Sequence, residues 1–315
     1  MEKPTRRSFV AAAVATTATA AAPLEAWQSR APVNPYACLV DLTRCVGCRR
    51  CEKACNEVNH LPPPEVSFDD PKVFERPRRP HDGAFTVVNR HCSGSLDRHH
   101  HLVPTYAKIQ CMHCQDPACA SACPTGALHK SDSGAVRYDV GRCIGCRYCM
   151  LACPFQMPAY EYDEPVAPRL RKCTFCLDRV VEQGLQPACA SICPEEAITF
   201  GRRQDLIGEA WRRIDHHPAR YQRHVYGEHE VGGTCWLYLS GEPFERVGFQ
   251  TLSDRPVPQT TESLQSALFS YLWSPIALFA ALAGLRAATT GPDSRAPQAG
   301  AKKASEQSSH GRNVS

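Results

Sequence analysis

A chain of 315 residues with 43% hydrophobic and 22% charged positions is long enough for one large or two modest globular domains. A formal net charge of +4 is too small at this length to point to a nucleic-acid partner. The 19 cysteines are the abnormal feature, and they direct the reading to metal or thiol chemistry.

In chain order, residues 1–26 carry Arg6 and Arg7 ahead of an uncharged run from Phe9 to Ala22, with Ala20-Ala21-Ala22 as a small-residue cleavage site. This is the order of regions in a twin-arginine export signal. The first cysteine motif, CVGCRRCEKAC, lies within 36–66 and sets Cys45, Cys48, Cys51 and Cys55 in the spacing C-x2-C-x2-C-x3-C. The long insertion that follows holds the prolines Pro62 to Pro64, the basic residues Arg76, Arg78 and Arg79, and His91, Cys92, His99, His100 and His101. It reads as irregular, with solvated histidines, and as a docking loop.

A strand is expected over Tyr106 to Gln110, leading into the second motif (102–133) with Cys111, Cys114, Cys119 and Cys123. Ala127 to Tyr138 reads as a hairpin turned at Asp132-Ser133-Gly134. The third motif (134–163) repeats the first spacing at Cys143, Cys146, Cys149 and Cys153. The fourth (168–202) stretches the middle gap, with Cys173, Cys176, Cys189 and Cys193.

In the C-terminal extension (203–260) a helix is expected from Asp205 to Ile214, where Leu206, Ile207, Ala210, Trp211 and Ile214 share a face. The run 263–285 has no charged residue. At about 1.5 Å per residue it is long enough to cross a hydrocarbon core of about 30 Å, with Pro275 inside it. Arg286 closes the run, and Arg295, Lys302, Lys303 and Arg312 follow in a tail (287–315) whose composition is that of disorder. Basic flanks stay cytoplasmic, so the bulk of the chain is expected outside.

Three thiolates on a tight loop wrap three irons of one cubane, and the fourth cysteine leaves the loop to ligate the other cluster of a two-cluster unit. The motifs therefore work in pairs. Pro follows Cys123, Cys153 and Cys193, and Asn56 stands at the equivalent place after Cys55. RCVGCRRCEKAC repeats as RCIGCRYCMLAC, and PACASACPTGAL as PACASICPEEAI, so the domain is duplicated. Structural zinc uses two C-x2-C pairs per ion, and tight triplets are poor disulfide partners for one another, so neither fits the pattern. Cys38, Cys92 and Cys235 stand outside the motifs.

With these motifs, Cys45 through Phe200 resembles the four-cluster ferredoxin-type iron–sulfur subunits of membrane oxidoreductases. The segment Val225 to Glu245, the twin-arginine start and the terminal apolar run bring it nearest to the hydrogenase-2 type of iron–sulfur electron-transfer subunit. The resemblance implies an α+β protein of duplicated two-cluster ferredoxin-like domains with a C-terminal transmembrane helix. It implies four 4Fe-4S clusters held by Cys45, Cys48, Cys51 and Cys193; by Cys173, Cys176, Cys189 and Cys55; by Cys111, Cys114, Cys119 and Cys153; and by Cys143, Cys146, Cys149 and Cys123. It further implies a subunit with no catalytic residues of its own, anchored by a single pass on the periplasmic side of the bacterial cytoplasmic membrane. Its partners would be the small and large subunits of a nickel–iron uptake hydrogenase and an integral-membrane quinone-interacting subunit. The alternative is the iron–sulfur subunit of a formate dehydrogenase or another molybdopterin oxidoreductase.

Overall fold

The computed structural model describes residues 31–96 and 99–289. The twin-arginine segment and the tail from 290 lie outside the described residues. Two units are present: Ala26–Leu264, which holds every cysteine motif, and a second that contains the helical residues 265–289.

The core of the first unit is a three-stranded sheet with β1 (Tyr36–Asp41) in the middle. β1 runs antiparallel to β8 (Ile198–Arg202), with Tyr36 opposite Arg202 and Val40 opposite Ile198. It runs parallel to β9 (Trp236–Leu239), with Cys38 opposite Trp236. Because both faces of β1 are covered, Ala37, Cys38, Leu39 and Val40 form a continuous apolar run, all buried. Asp41 ends the run buried but satisfied, accepting from the Thr43 hydroxyl (2.6 Å), the Thr43 amide (3.0 Å) and the Tyr221 hydroxyl (2.8 Å).

One face is closed by α6 (Arg203–His216), which extends the expected helix by two residues at each end. Leu206, Ala210 and Ile214, spaced by four, face the sheet and are buried. Arg203 in the first turn reaches the Thr234 and Glu228 carbonyls (2.8 and 2.7 Å) and ties the helix to β9.

Between these strands the chain is loops and short elements built on the cysteine motifs. They are α1 (Arg50–Val58), α2 (Ala118–Ser121), β4 (Leu128–Lys130), β5 (Val136–Tyr138), α3 (Tyr148–Ala152), β6 (Ala159–Tyr160), β7 (Leu170–Arg171), α4 (Leu177–Val181) and α5 (Ala188–Ser191). α1 packs on α5 and α2 on α3, so the first motif meets the fourth and the second meets the third. β4 and β5 form the expected hairpin. The insertion is more regular than its composition suggests. After Pro71–Glu75, a 3-10 turn, it forms a long hairpin of β2 (Thr86–Leu96) and β3 (Leu102–Gln110). Cross-strand pairing over that length outweighs the polar composition that reads as loop. The apolar helix α7 (Val257–Thr289) starts earlier than the uncharged run and continues through Pro275. Its first turns are held by Ser121, whose hydroxyl donates to Glu262 (2.6 Å), and by Thr261 donating to the Pro258 carbonyl (3.0 Å).

Candidate cluster-binding sites

The first and third motifs make the same turn for the same reason. Gly47 and Gly145 take φ of +71° and +69°, where a side chain would strain the backbone. A Cβ at Gly47 would also stand 2.4 Å from the Tyr106 ring, and one at Gly145 2.7 Å from the Tyr160 hydroxyl. Arg49 and Arg147 follow at φ of 58° and 60°, and each opens the short helix that carries the next cysteine. Backbone amides then point at sulfur: Gly145 at Cys143 (3.4 Å), Phe175 at Cys173 (3.4 Å) and Ala197 at Cys193 (3.3 Å).

The sixteen motif cysteines gather in four nests. Cys45, Cys48, Cys51 and Cys193 line one cavity. Cys143, Cys146, Cys149 and Cys123 line another. In the second nest the Cys55 thiol is held well above its ordinary value by burial and by its neighbours Cys173, Cys189 and Cys176. In the third, Cys114 is raised by burial and by Cys153, Cys119 and Cys111. Each nest thus draws three cysteines from one motif and the fourth from its paired motif. Charge interactions between thiols of different nests give an order. Cys51 of the first is raised by burial and by Cys189 of the second. Cys173 of the second is pushed up to about 12 by burial and by Cys111 of the third. Cys119 of the third is raised by burial, and Cys149 of the fourth is among the thiols that add to it. The nests therefore neighbour one another in the order first, second, third, fourth. A wider hollow opens beside Cys55, but its walls include the insertion residues Pro62, Pro63, Phe68 and Phe85, with no other cysteine.

The donor set fits an iron–sulfur core. Among the described residues no three Cys, His, Asp or Glu side chains close on a point as one ion would require; thiolates of a tetrahedral zinc stand only ~3.8 Å apart. These thiols instead ring a space. Burial and mutual repulsion oppose their ionising alone, as at Cys45 and Cys149, each pushed up to about 11. A cationic core removes that penalty, because thiols bind metal as thiolates. At Cys123 burial is outweighed by hydrogen bonds from the Leu128 amide and from Thr125, and the thiol lies below its ordinary value.

Two buried charge clusters beside the nests carry no sequence motif. Glu52, on α1 after Cys51, accepts from Arg49 Nη2 (3.0 Å), Arg78 Nη2 (2.6 Å) and the Val88 amide (2.6 Å). Lys108, on β3, lines the first cavity. Nothing in the spacing marks either, since a carboxylate in a short helix and a lysine in an alternating strand are ordinary surface patterns. Of the residues outside the motifs, Cys38 and Cys235 are buried free thiols and Cys92 is an exposed one. His99 and His101 face each other at 6.3 Å between ring centres.

A duplicated set of cysteine nests, with each motif lending its last thiol to its paired motif's nest, defines a ferredoxin-type iron–sulfur protein. Residues 102–203 match the 4Fe-4S dicluster domain family. The chain is 50% identical over 236 residues to a protein of Nitratidesulfovibrio vulgaris, covering 75% of this chain and 62% of that relative. It is 33% identical over 310 residues to the Hydrogenase-2 operon protein HybA of Escherichia coli O157:H7, covering 88% of this chain and 93% of HybA. It is 34% identical over 229 residues to the nitrate-inducible formate dehydrogenase iron-sulfur subunit of Escherichia coli K12, covering 72% and 75%. The chain belongs to the family of 4Fe-4S electron-transfer subunits of oxidoreductases to which HybA and the formate dehydrogenase subunit belong.

Proposed function

We propose that the chain carries four 4Fe-4S clusters, one in each nest, and passes electrons along their line between a catalytic oxidoreductase and a membrane quinone-interacting subunit. The observation that carries the reading is the gathering of all sixteen motif cysteines into four nests in sequence. A bound cluster takes or gives one electron with little ligand movement. The chain's own residues do the rest. The thiols fix each cluster, the amides of Gly145, Phe175 and Ala197 donate to sulfur, and the burial of Cys51, Cys55, Cys111, Cys119 and Cys189 keeps water from the inner ligands. At the two ends of the line Cys48 and Cys146 are exposed, which gives electrons a place to enter and leave. The ligand sets are those expected from the family resemblance, in two duplicated ferredoxin-like pairs.

The catalytic partner we propose is a nickel–iron uptake hydrogenase, on the longer alignment with HybA. The chain is read as a single-pass protein on the periplasmic side of the cytoplasmic membrane. That reading rests on α7, whose stretch Val257–Arg286 is long and apolar enough to cross a membrane. Leu264, Leu268, Phe269, Tyr271, Ile276 and Phe279 along it are all exposed.

The test is an anaerobic iron and acid-labile sulfide count on protein extracted from membranes, with co-purifying subunits identified by mass spectrometry. About sixteen irons per chain, the content of four cubanes, with a nickel–iron partner is the expected result. Fewer irons would overturn the cluster count, and a molybdenum partner would move the chain to a formate dehydrogenase-type complex.

A further inference from the structure

The cysteine nests differ in one respect that their repeated sequence hides, the cation beside them. Lys108 is buried to 2% exposure and lines the first nest together with Cys45, Cys48, Cys51 and Cys193. Its charge also bears on Cys55, Cys173 and Cys176 of the second nest. Among the described residues no carboxylate pairs with it. Its ammonium donates to Gln110 Oε1 (2.6 Å), Gln110 in turn donates to the Tyr238 hydroxyl (2.6 Å), and the Trp236 ring lies 4.3 Å away. These partners hold it in place without neutralising it. A lone buried ammonium is strongly unfavourable unless anions stand nearby; the one carboxylate lining the same cavity, Glu195, is exposed to solvent, and the buried groups able to supply negative charge are the thiolates of these nests and Cys38. The other cation lining the first nest, Arg49, is bound to Glu52.

The fourth nest has no such group. Its cavity is lined by Arg147 alone among cations, and that guanidinium lies over Tyr160 and Tyr162 at 5.7 Å from each ring centre.

We propose that Lys108 is a shared electrostatic element of the first and second nests, a carboxylate-free buried cation that raises the reduction potentials of both clusters above that of the fourth. A cluster with its thiolates is anionic and becomes one unit more so on reduction, so a fixed cation nearby favours the reduced form. One electron enters, no bond forms or breaks, and the ammonium keeps its protons. The inference rests on the four-cluster reading and concerns residues of this chain only.

The experiment is a potentiometric titration of the full chain with dithionite, followed by electron paramagnetic resonance, on the natural protein, Lys108→Met and Lys108→Arg. Iron and sulfide are counted on each preparation, so a wrong cluster number shows itself separately, in the natural protein. In Lys108→Met two midpoints are expected to fall by at least a tenfold change in the reduced-to-oxidised ratio, about 59 mV for a one-electron couple, while the other two move less than twofold. Lys108→Arg keeps all four within twofold. Unchanged midpoints in Lys108→Met, a common fall in all four, or an equal fall in Lys108→Arg would each overturn the proposal. Should Lys108→Met lose iron, Lys108→Gln is titrated under the same criteria. Iron loss in both uncharged variants with full iron in Lys108→Arg would overturn it in favour of a role in assembly.

Discussion

Glu52→Ala is the substitution with the largest expected effect outside the cysteines. The carboxylate is 3% exposed and holds Arg49, itself 2% exposed, together with Arg78. It also accepts the Val88 amide, at 2.6 Å. Removing one partner of a buried pair leaves an uncompensated charge, at about 3–5 kcal/mol. Stranding a buried amide adds about 1–3 kcal/mol. The two overlap, because water entering the gap serves both, and because Arg78 is one-quarter exposed and can turn to solvent. A loss of about 4–6 kcal/mol follows, or about 10–20 °C in thermal midpoint for a unit of this size. Arg49 lies in the loop between Cys48 and Cys51, so the first nest should open before the others. The assay is thermal unfolding of the anaerobic cluster-loaded protein, followed by circular dichroism and by bleaching of the visible iron–sulfur absorbance. Glu52→Gln, which keeps an acceptor for Val88, should lose about half as much. A midpoint shift below about 3 °C for Glu52→Ala would refute the reasoning, since it would mean that the arginines find other partners at no cost.

Cys193→Ala should remove about four of sixteen irons, those of the first nest, and leave the third and fourth nests' signals intact; loss from those two in a folded protein would sink the pairing of motifs. The ion pair of His224 Nε2 with Glu230 Oε1 (2.7 Å) predicts a pH dependence. His224 is raised above its ordinary value chiefly by that hydrogen bond, and Glu230 is lowered because hydrogen bonds from His224 and the backbone outweigh its burial. The histidine's contribution is fully present below the unfolded value of about 6.5 and is lost as pH rises through the folded one; the glutamate's is present above its unfolded value of about 4.3 and is lost as pH falls through the depressed one. Because the histidine side chain is 53% exposed, the pair contributes at most about 1 kcal/mol. Denaturant midpoints of the natural protein and His224→Gln should therefore differ at pH 6 and converge at pH 8.5, and an equal difference at both would count against the ion pair.

What the sequence carried was local. The C-x2-C-x2-C triplets, the positive-φ glycines within them, the β4–β5 hairpin and the face of α6 all follow from residues a few positions apart, where loop geometry and helical period act directly. The meeting of Cys45 with Cys193 was not legible in spacing. It depends on β1 and β8 running side by side, and strand pairing across most of a chain is set by burial of the whole sheet. The insertion's hairpin was legible only at Tyr106 to Gln110, because its other residues are largely polar and include Pro104, and such strands read as loop when only one sequence is in view. It is also the element that matters most for electrostatics, since β3 delivers Lys108 and β2 presents the Val88 amide to Glu52.

That placement bears on why a duplicated sequence need not give duplicated behaviour. The repeat fixes ligand type, loop turn and the donation of one thiol to the paired motif's nest, and those features are alike at both ends of the line. Potential is set by charge, burial and hydrogen bonds around the ligands, and these come from elements outside the repeat. At the first nest, β3 supplies a buried ammonium and the Glu52 carboxylate is consumed by two arginines. At the fourth, the surrounding side chains are apolar or aromatic apart from Thr125 and the exposed Arg147, and the amides of Leu128 and Ala127 stabilise the thiol of Cys123. A long insertion between the first and second motifs therefore has an electrostatic consequence as well as a structural one. On the proposal for Lys108, it turns two equivalent cysteine nests into sites of unequal electron affinity.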